Sequence, residues 1–324
     1  MTATGLIADI GATNARFALV RNGVRNGALE NVQVLKCADY ATIVDAARAY
    51  LAMCGAPDVR AASFAIAGPV TGDHFTMTNH PWDFSIEQTR LALGLDHFTL
   101  MNDFKAVALA IPHLHETDRR QIGGTQTPVN ESPIAVIGPG TGLGVGSLVW
   151  DGQAYRAIPG EGGHVTMPAK TQREFDVFQA LHDKYRHISA ERVCSGKGLV
   201  NIYNALRIID HRNDLPDRSP EEISAAALDG SCTLCAEALR MMIAFLGSIA
   251  GNLALTLGAA GGVYIAGGIC AQLGEAFFQS DFRDQFESKG RFQSYLAPIP
   301  TYLITHPFIA FIGLQAELKP FLCD

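Results

Sequence analysis

Between Gly138 and Gly146 the chain has glycine at every second position, Gly-Pro-Gly-Thr-Gly-Leu-Gly-Val-Gly. Side chains alternate across a strand, so this spacing strips one face down to bare backbone. Flanked by the apolar runs Pro133-Ile-Ala-Val-Ile and Leu143 to Val149, the segment reads as a tight hairpin. Bare backbone lets amide groups approach a ligand closely, and consecutive N–H groups in a turn favour anions. Neither the P-loop pattern nor Gly-x-Gly-x-x-Gly is matched here. Close packing of the hairpin against a helix would also explain the glycines. A second turn favours the phosphate reading: Asp9-Ile-Gly11-Ala-Thr13-Asn14 links the strands Leu6-Ile-Ala-Asp-Ile and Arg16-Phe-Ala-Leu-Val.

The two hairpins make a weak internal repeat, and strands followed by helices argue for an α/β architecture. The apolar spacing predicts a helix over 38–53, with Asp39 as N-cap and Gly55 just beyond its end. Arg60 to Ala67 reads as a strand. Ser85 opens a helix, with Gln88 completing a capping box. His97 to Met101 is a strand and Asp103 to Ile111 a helix stopped by Pro112. Helices follow at 172–183, 198–209, 233–257 and one opened by Ser219-Pro220; Gly262-Val-Tyr-Ile-Ala is a strand.

Composition bounds the function. With 324 residues, 48% of them hydrophobic and 18% charged, the chain is too apolar for disorder and long enough for about two domains. A net charge of -7 without a basic stripe argues against nucleic acid as a partner. The first twenty residues carry Asp9, Asn14 and Arg16 and do not read as a signal peptide. A charge-free run spans 241–274, but Ser248, Asn252, Thr256 and Gly258–Gly262 interrupt it, so a buried helix and strand are expected and no membrane span. The seven cysteines are dispersed; Cys232 and Cys235 have no second pair to complete a zinc site, and buried thiols are expected there. Reduced thiols suit a cytoplasmic protein.

Asp9 lies inside an apolar strand, where an ionised carboxylate is costly unless paired or bound to metal. A magnesium role fits, since Mg²⁺ usually bridges one or two carboxylates and substrate phosphates. A hydrogen-bonded structural carboxylate is the alternative. Asn102 and Asp103 fall just beyond a strand's carboxyl end, where open α/β sheets place their sites. Asp103 could instead simply cap its helix. Glu161-Gly-Gly-His164 sets an acid and an imidazole on a glycine-loosened loop, suited to a polyhydroxylated ligand or, less well, to a metal. Glu191 could be an ordinary ion pair with Arg192. Lys197, in Ser195-Gly-Lys-Gly198, lacks the rest of a P-loop and reads as a helix-opening loop.

Taken together, the segments resemble the bacterial glucokinases of the hexokinase–actin ATPase superfamily, in the group without a zinc motif. The resemblance rests on Asp9-Ile-Gly-Ala-Thr-Asn-Ala-Arg16, Ala67-Gly-Pro69, Met77-Thr-Asn-His80, Met101-Asn-Asp-Phe104, Gly138–Gly146, Gly160-Glu-Gly-Gly-His164, Ala190-Glu-Arg192, Ser195–Leu199 and Ile265-Ala-Gly-Gly268. It implies two ribonuclease H-like α/β domains, 1–112 plus 305–324 and 113–304, with an active-site cleft between them. It also implies that Ala8, Asp9, Ile10, Gly11, Ala12, Thr13, Gly140, Thr141 and Gly142 hold ATP phosphates, with Mg²⁺ on Asp9 directly or through water. Gly267 and Gly268 would lie near the adenosine. Asn102, Asp103, Glu161, His164 and Glu191 would bind glucose, with Asp103 as catalytic base for transfer to the 6-hydroxyl. A homodimer is the family expectation.

Two positions depart from the family pattern. Ala12 stands where a second glycine is usual, which requires a negative φ there or a reshaped turn. Lys197 stands where proline is frequent. The related repressor-and-sugar-kinase family follows Glu-Gly-Gly-His with a cysteine cluster for zinc; here no cysteine occurs between Cys54 and Cys194, so no zinc is expected. Nor is a DNA-binding domain expected before Asp9. A kinase for mannose or fructose is the nearest alternative. An actin-like filament protein or chaperone would share the hairpins without the sugar set, and a dead sugar sensor would lack Asp9 and Asp103.

Overall fold

The computed structural model describes residues 4–21, 29–77 and 79–322. Thr78 of the Met77–His80 motif, the seventh cysteine Cys323 and the first three residues lie outside the described residues. In chain order the elements are β1 (Thr4–Ile10), β2 (Asn14–Arg21), β3 (Glu30–Lys36), α1 (Ile43–Met53), β4 (Val59–Ile66), β5 (His74–Thr76), β6 (Asp83–Ser85), α2 (Ile86–Ala92), β7 (His97–Asn102), α3 (Asp103–Ala110), β8 (Arg119–Gly123), β9 (Ile134–Pro139), β10 (Leu143–Trp150) and β11 (Tyr155–Pro159). They continue with α4 (Gln172–His182), α5 (Gly196–Ile209), α6 (Pro220–Leu228), α7 (Thr233–Leu257), β12 (Val263–Ile265), α8 (Gly268–Leu273), α9 (Glu275–Phe278), α10 (Phe282–Glu287), α11 (Gln293–Leu296), β13 (Thr301–Ile304) and α12 (Ile309–Leu318).

Two compact units result. The first comprises 1–115, 155–159 and 306–324; the second comprises 116–154 and 160–305. The first unit holds a sheet in the order β3-β2-β1-β4-β7, antiparallel through β3-β2-β1 and parallel from β1 to β7. Its central strands β1 and β4 are apolar on both faces because both are covered: Leu6, Ile7, Ala8, Phe64 and Ala65 are all fully buried, whereas the edge strand β3 is largely exposed. Phe17 stacks on Tyr50 of α1 at 5.2 Å, and Phe64 meets Phe98 edge-on at 5.0 Å. α12 closes this unit against α3, β1 and β4. The contact is close enough that a Cβ on Gly313 would run into the carbonyl of Ala106.

Within the second unit the sheet runs β10-β9-β12-β13-β8, again an antiparallel hairpin joined to parallel strands, β9-β12-β13, with β8 antiparallel at the edge. The repeat expected from the two hairpins is therefore present in the strand pairing. α7 is the one helix among the described residues long and apolar enough to cross a membrane, yet 72% of its most apolar stretch is buried inside the protein. Its side chains from Leu234 to Ala254 fill the core shared with α5, α6 and β9. The polar interruptions at Ser248, Asn252 and Thr256 fit a core helix. α6 opens as expected, with Ser219 and Glu222 forming both halves of a capping box and Pro220 in the first turn.

Two expectations are corrected. The helix expected over 38–53 starts at Ile43, capped by Thr42 and not by Asp39. The backbone before it is spent elsewhere: the Cys37 N–H donates to Thr13 O and the Tyr40 carbonyl accepts from Trp82 Nε1. At Ser85 only half a capping box forms, Gln88 N–H donating to the hydroxyl. Asp73 takes over the remaining capping, accepting from Ser85 Oγ and the Glu87 N–H.

Candidate active site

The register across the first sheet pairs Ile10 with Ile66 and Ile66 with Asn102. The carboxyl ends of β1, β4 and β7 are thus level, and the turn at Gly11, the Ala67-Gly68 bend and the Asn102-Asp103 pair leave the sheet together. That edge is where open α/β sheets bind ligands. Two hydrogen bonds tie the three segments: Ala67 N–H to Ile10 O at 3.3 Å and Asn102 Nδ2 to Gly68 O at 3.1 Å.

Asn102 is the N-cap of α3, its side-chain oxygen accepting from the N–H groups of Phe104 and Lys105. The capping role considered for Asp103 therefore belongs mainly to its neighbour. Asp103 is the first residue of the helix and accepts the Phe104 N–H at 2.9 Å. A half-buried carboxylate here sits in the favourable field of a helix N-terminus.

The turn of β1 and β2 closes with Gly11 N–H donating to Asn14 O at 2.9 Å. Two more carbonyls of the turn are held by one residue. Cys37 donates its thiol to Gly11 O at 3.3 Å and its N–H to Thr13 O at 2.9 Å. Ala12 is not among the described residues with positive φ, so alanine needs no left-handed backbone and the turn is not reshaped on that account. Opposite the turn's base, Asp9 pairs across the strands with Arg16, Nη1 to Oδ2 at 3.3 Å. Burial pushes the Asp9 carboxyl above its ordinary range, against the opposing pull of the Arg16 guanidinium. A carboxylate so placed gains from a further cation. It is also a single carboxylate, and no group of three or more His, Cys, Asp or Glu placed to hold a metal exists among the described residues. One carboxylate fits magnesium that arrives with substrate phosphates, and does not fit a resident metal cage.

In the second unit the hairpin turn closes with Gly140 N–H to Gly142 O at 2.8 Å, and Gly196 N–H supports Gly140 O at 2.9 Å. Gly196 opens α5, whose N-cap is Ser195, so the Ser195–Gly198 segment backs the turn as Cys37 backs the other. Glu191 makes no ion pair with Arg192. Its Oε2 accepts the Leu143 N–H at 3.0 Å, and Arg192 lies over the Tyr185 ring. A Cβ on Gly142 would come 2.5 Å from that oxygen, so a side chain there displaces the end of Glu191 from the Leu143 N–H. Glu161-Gly-Gly-His164 is not loosened by its glycines. It forms a turn of 3₁₀ helix closed by His164 N–H to Glu161 O, pressed on β10. A Cβ on Gly163 would strike Leu143 O, and one on Gly162 would lie 2.8 Å from Val145. Glu161 and His164 themselves are exposed. Gly267 has φ 88, a left-handed value that favours glycine, and any Cβ there would run into Pro139 O at the end of β9. Gly267 therefore adjoins the second hairpin, at the end of β9, with Gly268 next to it in the chain.

The sequence-predicted residues thus form two groups. Asp9 to Thr13, Asn102 and Asp103 share one sheet edge; Gly140 to Gly142, Glu161, His164, Glu191, Gly267 and Gly268 gather about the end of the second hairpin. Cys37 was not anticipated, because a hydrogen bond spanning 26 residues leaves no local pattern.

Comparison with known proteins gives a consistent result. The profile of the Glucokinase family matches residues 6–320. The chain is 49% identical to the glucokinase of Neisseria gonorrhoeae, over 97% of this chain and 94% of that protein. It is similar to the crystal structure of a glucokinase from an Antarctic psychrotroph, with TM-score 0.88 and 33% identity over 99% of this chain and 100% of that one. A ROK-family glucokinase from Streptomyces griseus, solved with glucose and AMPPNP, shares the fold with TM-score 0.66 at 18% identity, covering 99% and 100% of the two chains.

Proposed function

The chain belongs to the glucokinase family, and we propose that it transfers the γ-phosphoryl group of ATP to the 6-hydroxyl of D-glucose through the residues described above. The observation that carries the reading is the division of labour at α3: Asn102 caps the helix, and the Asp103 carboxylate beside it stands at the helix start as a proton acceptor. Asp103 accepts the proton of the sugar's 6-hydroxyl as that oxygen attacks. Phosphoryl transfer needs little covalent chemistry from the protein, so positioning and charge neutralisation carry most of the rate.

The Gly11 and Gly140 N–H groups close their own turns, to Asn14 O and Gly142 O, so phosphate contact falls to the other N–H groups of the two turns, at Ala12, Thr13, Thr141 and Gly142. Gly267 and Gly268 receive the adenosine side of the nucleotide. Asp9 holds magnesium with the phosphates, directly or through water; the ion supplies neutralisation of developing charge. Asn102, Glu161, His164 and Glu191 bond the sugar hydroxyls. A site built on such bonds discriminates strongly against analogues lacking a partner. Glucose in an AMPPNP complex of a glucokinase with this fold supports the pair of substrates. The reading goes with a cytoplasmic homodimer, as the family expectation has it.

A coupled assay with Mg-ATP and glucose, mannose or fructose tests this. The expected result is glucose 6-phosphate, with turnover abolished by excess chelator. Preference for another hexose, or full turnover without divalent metal, overturns the respective part.

A further inference from the structure

The start of α7 carries a thiol pair that phosphoryl transfer does not use. Cys232 is the N-cap and Cys235 lies three residues on, in the first turn, giving Cys-Thr-Leu-Cys at a helix N-terminus. The Cys232 sulfur takes the place of the usual cap hydroxyl and accepts the Cys235 N–H at 3.5 Å. Its backbone is extended, with φ -141 and ψ 111, which turns the sulfur over the first turn toward its partner. The two environments differ. Cys232 is 8% exposed and Cys235 is fully buried. Burial raises the Cys232 thiol, but the N–H groups of Cys235 and Leu234, the Cys235 side chain and the Arg218 cation outweigh it, leaving the thiol below its ordinary range. Burial and the neighbouring sulfur push Cys235 up to about 12.

No other described cysteine has a second within three residues. Cys194 and Cys270 are sealed in the core, where burial raises both thiols.

We propose that Cys232 and Cys235 form a redox-active dithiol that closes to a disulfide by exchange with a low-molecular-weight disulfide. The Cys232 thiolate attacks one sulfur of the small disulfide, forming a mixed disulfide and expelling the first thiolate, which takes up the Cys232 proton. The Cys235 sulfur, losing its proton to the second leaving thiolate, then attacks Cys232. The protein loses two protons and two electrons, and the small disulfide, taking up both, becomes two thiols. Residues three apart on a helix place their Cβ atoms roughly 5–6 Å apart, against about 3.8 Å in a disulfide. The first turn must therefore tighten, which an N-cap outside helical φ/ψ allows. Both residues are buried, and Cys232, at 8% exposed against 0% for Cys235, is the nearer to solvent, so exchange begins there as the first turn opens.

The test needs no assumption about phosphoryl transfer. The full-length chain is incubated with oxidised glutathione, free thiols are alkylated, and peptides are read by mass. In the unmodified chain the peptide holding both cysteines should lose two hydrogens and resist alkylation. Cys235→Ser should trap glutathione on Cys232, at least about tenfold faster than Cys232→Ser traps it on Cys235. Serine is a good N-cap, so Cys232→Ser keeps the helix start, and thermal melts of both variants check folding. Both thiols remaining free in the unmodified chain, modification of Cys54 alone, or equal rates in the two variants overturn the proposal.

Discussion

One carboxylate oxygen of Glu191 accepts the backbone N–H of Leu143 at 3.0 Å, which joins a proposed sugar ligand to the first residue after the Gly140–Gly142 turn. Glu191→Ala should leave that N–H without an acceptor. A half-buried donor so treated costs about 1 kcal/mol or more, and the KM for ATP should rise at least about fivefold along with that for glucose. Glu191→Gln keeps an oxygen at the same place, so its KM for ATP should stay within about twofold while glucose binding weakens. Initial rates with both substrates varied distinguish the two. An alanine variant that shifts the glucose KM alone would sink the idea.

Glycines of the same turn should behave differently. Gly142→Ala sets a Cβ 2.5 Å from Glu191 Oε2, which pushes that carboxylate off the Leu143 N–H and should cost about tenfold in kcat/KM. Around Gly140 nothing lies within 4 Å of an added Cβ, so Gly140→Ala should keep the melting temperature and weaken only nucleotide binding. Calorimetry with titration of an ATP analogue measures both effects. Equal loss of stability in the two variants would contradict the packing argument.

Asp103→Asn keeps the side chain's shape and leaves the Asn102 cap in place, so the protein should melt as before. General-base contributions are about a hundred- to ten-thousandfold, and kcat should fall by that much with little change in glucose affinity. Wild-type kcat in the folded variant would end the assignment of the base. Asn102→Ala, by contrast, should destabilise by about 1 kcal/mol through the lost cap.

Cys37 makes a separate case. Cys37→Ala deletes the thiol bond to Gly11 O while keeping the N–H bond to Thr13 O. The KM for ATP should rise about two- to fivefold, in line with one lost hydrogen bond, with the glucose KM unmoved. Cys37→Ser restores a donor and should recover most of the difference. Failure of serine to rescue would show that Cys37 matters for volume alone.

The pH dependence of stability carries a sign that can be checked. Burial raises the Asp9 carboxyl, so the folded protein binds more protons than the unfolded chain between the ordinary carboxylate range and the raised one. Through that window stability falls as pH rises, and above it the charge is a standing cost. Asp9→Asn should therefore raise the melting temperature at pH 7 without metal, and should flatten this part of the pH profile. Activity should drop about a hundredfold or more with loss of the metal ligand. A lower melting temperature in Asp9→Asn would place the balance with the Arg16 pair instead.

The features read from sequence were those with a local cause. Apolar runs bracketing Gly/Thr turns gave both hairpins, and Ser219-Pro220 gave the start of α6 at the right residue. Asp39 and Thr42 are both acceptable caps by composition; long-range bonds from Cys37 and Tyr40 chose between them. The glycines at 162 and 163 read as looseness because their steric cause, Leu143 and Val145, lies on another element. For the same reason Glu191 read as a partner of Arg192. No periodicity marks Tyr155–Pro159 as part of the first unit, since membership there depends on packing against α3.

α12 lies last in the chain, yet Gly313 seats it on α3 and Leu318 fills the space beside Gly5 of β1. The ribosome therefore delivers β1 long before the helix that closes over it. The second unit, which ends at Thr305, is fully translated before α12 is made. During elongation the hairpin of β1 and β2 must wait with part of its apolar face uncovered. A ribosome-stalled chain ending before Phe308 should accordingly yield to protease in its early segment while residues 160–305 resist.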